Sequence, residues 1–293
     1  MNEKQLYIFK LFVEHRNVSL VAEHLNVTQP TVSFHLKNLQ DEVGIELYHK
    51  KGDQFSLTPA GEMLYKYSEE ISTLKNEAEQ LLEEYKDYKR GTLKIGASQT
   101  PLNSTLPGVF RKYVEFHKDV SLLVESGNAH EIVELVHSRN VDFGIISENG
   151  IFDEQLQVER IFENPLRVVM DKSHPLASLD EIRAEDIGKY RSVIHRSGTT
   201  RNVIDKWKVR NNVQLNIAME INSISSIVAI IKETEYIGFL VDSALENLNA
   251  TNIVMKPLKH VDNETYISLV YRKDKFLTPI MKEFIYTVRN IHN

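Results

Sequence analysis

Two short runs hold most of the residues that could do chemistry here: Ser98-Gln99-Thr100 and Arg196-Ser197-Gly198-Thr199-Thr200-Arg201. Each follows an apolar, strand-like segment, Thr92–Ala97 in the first case and Ser192–His195 in the second, and each leads into a helix-like segment. Gly198 lets backbone N–H groups approach an acceptor, the hydroxyls add donors, and a helix start favours negative charge. Ser147 ends a third strand-like segment, Val141–Ser147, and Asn222-Ser223 follows a fourth, Leu215–Glu220. In open α/β sheets ligands bind outside the carboxyl ends of the strands, so these four places can form one ring. The ring holds almost only donors, with Arg196 or Arg201 as counter-charges. That chemistry suits a carboxylate, sulfate or phosphate-bearing metabolite. Ser, Thr and Asn also cap helices everywhere, but two such motifs at equivalent places point to a binding site.

Covalent chemistry is not legible. The chain has no cysteine, which removes disulfides, thiolate metal sites and thiol nucleophiles. Its eleven histidines are scattered without metal-ligand spacing, so no metal is expected. There is no Walker-type loop, no G-x-G-x-x-G and no Gly-x-Ser-x-Gly elbow. The expectation is a binding protein, not an enzyme, with no cofactor beyond a non-covalent small-molecule ligand. Trp207 reads as packing. Residues Met1–Phe9 lack a signal-peptide core, and no apolar run approaches the roughly 18–20 residues of a spanning helix. A cytoplasmic protein without membrane contact is expected. The net charge of −6 argues against a general polyanion binder, so any nucleic-acid contact must come from local charge.

The elements that carry these residues fall into three parts. Lys4–Glu14 places Leu6, Phe9, Phe12 and Val13 on one helical face. Ser19 is expected to cap a short second helix, Asn26-Val27 to turn, and Thr28 to cap a third helix with Val32, Leu36 and Leu39 facing inward. Gln29, Pro30, Thr31, Ser33, Phe34, His35, Lys37 and Asn38 are left outward or flanking. Two short helices joined by a tight turn, the second showing small polar residues at its start, form a helix-turn-helix. Through Thr58 there are six Lys or Arg and seven Asp or Glu, yet no acid lies between Asn26 and Gln40. Glu46–Leu57 reads as a hairpin turning at Lys51-Gly52-Asp53, which puts Lys50 and Lys51 on a wing. Polar residues at a helix start read base edges, while wing lysines meet phosphates.

Thr58 and Pro59 then open a long helix. Leu64, Tyr67, Ile71, Leu74, Ala78, Leu81, Tyr85 and Tyr88 recur at alternating spacings of three and four, an a/d seam suited to dimerisation. Over residues 59–88 it is about 45 Å long. After Gly91, strands alternate with helices in two series, Thr92–Ser147 and Ser192–Val241, and Tyr266–Tyr271 and Pro279–Ile291 return to the first. That pattern predicts two α/β lobes with a double crossover.

The runs Val21–Ser33, Glu42–Tyr48 and Leu57-Thr58-Pro59-Ala60-Gly61 resemble the winged helix-turn-helix and linker of LysR-type transcriptional regulators. The resemblance extends along the whole chain. It implies an N-terminal winged helix-turn-helix over 1–58 and a coiled-coil linker helix over 59–90. A two-lobed α/β effector domain of the periplasmic-binding-protein type 2 kind would fill 91–293, with lobe I at about 91–163 and 266–293 and lobe II at about 164–265. It further implies binding to double-stranded promoter DNA through Ser19, the third helix and the wing, with an effector cleft near Ser98, Thr100, Ser147, Ser197, Thr199 and Ser223. Homodimers pairing into homotetramers and contact with RNA polymerase follow from the same resemblance. The Ser-Gly-Thr-Thr-Arg run is similar to a subgroup responding to small anionic metabolites. Phe34 and Asn38 depart from the long polar residues common there, and Leu20 from a small one. Thr234, Tyr236 and Val241 depart at the cleft margin. Two other classes compete with the regulator reading: an intracellular small-molecule-binding protein without sequence-specific DNA binding, and an α/β enzyme with an allosteric DNA-binding half.

Overall fold

A computed structural model of the chain describes residues 1–51, 54–86, 91–151, 153–261 and 265–291. They form two units, Met1–Tyr85 and Lys86–Asn293. In the first, α1 (Glu3–His15) opens with a capping box in which Asn2 and Gln5 satisfy each other's backbone N–H groups. It buries Leu6, Phe9 and Phe12. The second helix, α2 (Val18–His24), is capped by Asn17 and not by the expected Ser19, because the Asn17 carboxamide accepts from the Ser19 N–H at 2.8 Å. Helix α3 (Gln29–Val43) follows a turn in which Asn26 is left-handed at φ 52°. Thr28 stands at its N-cap but does not cap with its side chain, since its hydroxyl pairs with that of Thr31 at 2.9 Å. Val32, Leu36 and Leu39 are buried, as their spacing predicts. The wing is an antiparallel pair, β1 (Tyr48–Lys51) and β2 (Gln54–Leu57), with Tyr48 opposite Leu57. Gly52 and Asp53 of its turn, and the Lys51 side chain, lie outside the described residues. Tyr48 and Phe55 set their ring edges against Phe12 at 4.9 and 5.3 Å, which fastens the wing to the helices.

Helix α4 (Pro59–Lys86) begins where Thr58 accepts from the Gly61 N–H and donates to the Glu46 carbonyl. Gly61 is buried against the wing, and a β-carbon there would stand 1.8 Å from the Leu47 carbonyl oxygen. Along the seam, Leu64 packs on the winged-helix core with Tyr65. Tyr67, Ile71, Leu74 and Ala78 are exposed and Leu81 is half-buried. The Tyr85 side chain and all of Tyr88 lie outside the described residues.

The second unit runs β3 (Gly91–Ser98), α5 (Gln99–Asn103), α6 (Leu106–Phe116), β4 (Val120–Gly127), α7 (Ala129–His137), β5 (Phe143–Glu148), β6 (Leu156–Glu163) and β7 (Leu166–Asp171). It continues with α8 (Ala184–Ile187), β8 (Arg191–Ile194), α9 (Thr199–Arg210), β9 (Asn216–Glu220), α10 (Ile224–Ile231), β10 (Ile237–Val241), β11 (Ile253–Pro257), β12 (Tyr266–Arg272) and α11 (Pro279–Arg289). Two five-stranded sheets result, ordered β4-β3-β5-β12-β6 and β11-β7-β10-β8-β9. The chain crosses from the first sheet to the second after β6 and returns before β12, so the expected double crossover is present. At the crossing, Asn164 is fully buried and exchanges two 2.9 Å bonds with Ser243.

Two local expectations change. The helix-like segment that the sequence places after Ser98-Gln99-Thr100-Pro101, through about Val114, is broken into α5 and α6. The Ser104 hydroxyl takes the Thr100 carbonyl at 2.8 Å, and Pro107 has no N–H for the next turn. The edge strand β11 went unread, being a short stretch that pairs antiparallel with β7. Each sheet has its own core: Phe284 and Tyr113 against β3, β5 and β12 in one, and Trp207 and Phe239 in the other, where the indole N–H donates to the Lys259 carbonyl at 3.1 Å. Among the described residues no helix is long and apolar enough to cross a membrane.

Candidate ligand cleft and nucleic-acid interface

A cavity of about 400 Å³ opens between the carboxyl ends of the two sheets. Lobe I supplies Ser98, Gln99, Thr100, Ser126, Asn128, Glu131 and Ser147 to its wall, and lobe II supplies His195, Ser197, Gly198, Thr199, Thr200, Asn222 and Ile224. Parallel pairing of β3 with β5, Ala97 opposite Ile145, brings the two strand ends together. There the Ser98 hydroxyl accepts from the Ser147 N–H at 2.9 Å, which leaves its own proton free to donate. The Ser147 side chain is 4 % exposed, and its hydroxyl has no hydrogen-bond partner among the described residues. A buried hydroxyl without a partner is unfavourable by about 1–3 kcal/mol; Ser192 and Thr265 carry buried hydroxyls in the same state, but of the three only Ser147 belongs to the cavity wall. From lobe II, the Thr199 hydroxyl donates to the Ser147 carbonyl at 2.9 Å.

Four helices start at the cleft and differ in how their first N–H groups are used. The α7 start is closed by an Asn128–Glu131 capping box, with bonds of 2.7 and 3.0 Å. The α10 start is closed by Ser223, which accepts from Ser226 N–H at 3.2 Å. Helix α9 begins after Gly198 at φ 93°, with no side-chain cap, and α5 begins after Ser98 likewise. The N–H groups at the start of the twelve-residue α9 are therefore open to an acceptor in the cavity.

Three expected cleft residues do other work. Ser223 is spent on its cap. The Arg201 guanidinium is held by Asp205 one turn on, at 2.7 Å, and by Glu220 from β9, at 2.5 Å; both carboxylates raise its already high pKa. It also donates to the His195 carbonyl. Arg196 is exposed and enters through its backbone, whose N–H donates to the Asn222 carboxamide at 2.9 Å. Neither arginine lines the cavity as a counter-charge. Asn222 also accepts from Ser197 N–H and donates to the Ser197 hydroxyl at 2.7 Å, so it shapes the glycine turn. Gln99, Thr100, Ser197, Gly198 and Thr199 line the cavity.

Sequence reasoning missed Ser126, Asn128, Glu131 and His195. Ser126 lies at the end of β4, Asn128 caps α7 and Glu131 is in its first turn, the same strand–turn–helix pattern as the runs that were read. Burial pushes the His195 imidazole down to about 4, so it lines the cleft as a neutral group with one donor and one acceptor. Among the described residues no group of three His, Asp or Glu is placed to hold a metal.

In the first unit, α3 presents Gln29, Pro30, Ser33, Phe34 and Lys37 to solvent, with Thr31 and His35 half-buried beside them. Ser19 is exposed on α2. Lys50 is exposed on β1, its ammonium 5.6 Å from the centre of the Phe12 ring.

A winged helix-turn-helix in one unit and a two-lobed α/β domain with a polar interlobe cleft in the other define a DNA-binding regulator with an effector-binding domain. Residues 4–62 match the bacterial regulatory helix-turn-helix family of the lysR type, and residues 86–291 match the LysR substrate binding domain. The chain belongs to the LysR family of transcriptional regulators, and it is not an enzyme. A probable RuBisCO transcriptional regulator of Thalassiosira pseudonana is 30 % identical over 252 residues, covering 83 % of this chain and 82 % of that one. Among solved structures, a full-length OxyR variant from Pseudomonas aeruginosa superposes with a TM-score of 0.71 at 18 % identity, covering 99 % of this chain and 94 % of that one. Full-length CbnR complexed with its target DNA gives a TM-score of 0.68 at 18 % identity, covering 99 % and 100 %.

Proposed function

We propose that a small anionic metabolite, bound between the two lobes, controls how a self-associated form of this regulator holds promoter DNA. The observation that carries this reading is Ser147, a residue of the cavity wall beside the uncapped start of α9 whose buried hydroxyl has no partner among the described residues. Ser98 and Thr100 add hydroxyls from lobe I, and Ser197, Thr199 and the backbone after Gly198 add donors from lobe II. Neutral dipoles of this kind hold an anion without a buried counter-ion, which fits the diversion of Arg201 to Asp205 and Glu220. A group bridging the lobes favours one lobe arrangement over another, a coupling of about 1–3 kcal/mol.

On the DNA side, Gln29, Thr31 and Ser33 read base edges from the first turns of α3, while Lys37, Lys50 and Lys51 contact phosphates. The exposed run of Tyr67, Ile71, Leu74 and Ala78 on α4 supports pairing of two chains. The effector domains pair dimers into a tetramer that meets RNA polymerase at promoters in the cytoplasm. The test is calorimetric titration of the full-length protein with sulfate, phosphate and a set of small carboxylates, for the wild type and Ser147→Ala. The expected result is saturable binding of at least one anion, weakened about tenfold or more in the variant, the value of a hydrogen bond to a charged group. Equal affinity in both proteins would overturn the assignment.

A further inference from the structure

The outward face of α3 has an unusual make-up for an element that meets DNA. At about 100° per residue, Phe34 lies about 200° round the helix from the buried Val32, which puts it at the apex of the solvent face. Its side chain is 61 % exposed. Pro30, one turn earlier on the same line, is also exposed, so the ridge that leads into a groove is apolar. Its flanks are uncharged or basic: Ser33 and Lys37 on one side, Thr31 and Asn38 on the other, with no acid between Asn26 and Gln40. His35 sets its ring against Phe34 at 5.8 Å and limits where the phenyl ring can swing. A single exposed phenylalanine is ordinary on a protein surface. One at the apex of a recognition helix has a defined occupant, because the apolar group that a major groove offers is the C5-methyl of thymine.

We propose that Phe34 packs on the C5-methyl of one thymine in each operator half-site and so fixes the base preference of α3. The inference rests on the reading that α3 enters the major groove. It predicts an A·T pair at the centre of the half-site, where other residues at this position would select a different base.

The experiment begins with selection of bound sequences from a random DNA pool by the full-length protein at fixed salt. Each thymine of the enriched half-site is then replaced singly by deoxyuridine, which removes only the methyl group, and affinities are measured for wild type, Phe34→Ala and Phe34→Leu. One thymine per half-site should lose about fourfold in the wild type on methyl removal, the scale of burying one methyl-sized group. Phe34→Ala should bind the thymine and deoxyuridine sites alike, while Phe34→Leu, which keeps an apolar contact, should retain most of the preference. If no deoxyuridine weakens the wild type, or if Phe34→Ala keeps the full penalty, the inference is overturned. Failure to enrich any sequence would remove base reading by α3 itself, a different result from an enriched site that ignores its methyl groups.

Discussion

The hydroxyl of Thr199 donates to the carbonyl oxygen of Ser147 at 2.9 Å, and this bond ties lobe II to lobe I at the cleft wall. It joins the first residue of α9 to the end of β5, so the helix whose N–H groups are open to ligand is held against the strand whose hydroxyl is unpaired. Thr199→Val nearly keeps the side-chain volume and removes the donor. A neutral hydrogen bond contributes about 1 kcal/mol, so anion affinity measured by calorimetry should fall about fivefold, with DNA binding in the absence of anion unchanged. A parallel loss of DNA binding would mean that the variant disturbs folding and not the cleft.

The α4 seam makes a separate prediction about association. Ile71 and Leu74 are 39 % and 49 % exposed within one chain, so charges there remove little from the protomer's own packing, within about 0.5 kcal/mol. Ile71→Glu together with Leu74→Glu should leave the melting temperature of the effector domain unchanged and shift sedimentation towards the monomer. Undiminished association would place the contact elsewhere.

Much of this architecture was legible because its signals are local. The helix-turn-helix shows in Val32, Leu36 and Leu39 and in the left-handed Asn26 turn, and the length of α4 shows in the three-and-four spacing of its apolar residues. The cleft was readable at Ser98–Thr100 and Ser197–Thr199 because a strand end, a small polar run and a helix start are contiguous. What failed depended on partners distant in sequence or on competition between neighbours. Arg201 looks like a counter-charge until Glu220 of β9 is placed beside it. Ser19 and Asn17 are both good caps, and only the backbone path selects Asn17. Ser223 and Asn222 are adjacent polar residues, one turned to its own helix and the other to the Gly198 turn.

His195 gives the cleft a pH dependence whose sign follows from burial. Its pKa is about 4 in the folded protein and about 6.5 when unfolded. Between these values the unfolded chain binds the extra proton, so stability is full above about pH 6.5 and falls as pH drops towards 4. The whole span corresponds to at most about 3 kcal/mol. His174, which is buried where His195 is half-buried, is likewise shifted down by desolvation and adds in the same direction. Thermal melting from pH 7 to 4.5 should therefore decline more steeply for the wild type than for His195→Gln, which keeps a polar side chain without a titrating ring. Identical slopes would show that the imidazole is hydrated in the open cleft and not buried.

Gly61 yields the strictest structural prediction. It lies in the first turn of α4, where the Thr58 hydroxyl reaches back to the Glu46 carbonyl and forward to the Gly61 N–H. The helix passes so close to the wing that an added β-carbon would fall 1.8 Å from the Leu47 carbonyl oxygen and 2.9 Å from its carbon. Both are backbone atoms, which no rotamer change can move away. Alanine is the best helix former and should stabilise an unconstrained position by about 1 kcal/mol. Here the clash dominates, and overpacking of this severity should destabilise by about 3 kcal/mol or more. Calorimetric melting of Gly61→Ala should show loss of the transition belonging to residues 1–85, with the transition of residues 86–293 and its anion binding retained. Such a variant would still bind effector while failing on DNA. A wild-type melting profile in Gly61→Ala would mean that α4 can move off the wing at little cost, so that the Leu47–Gly61 contact does not fix where the linker helix begins.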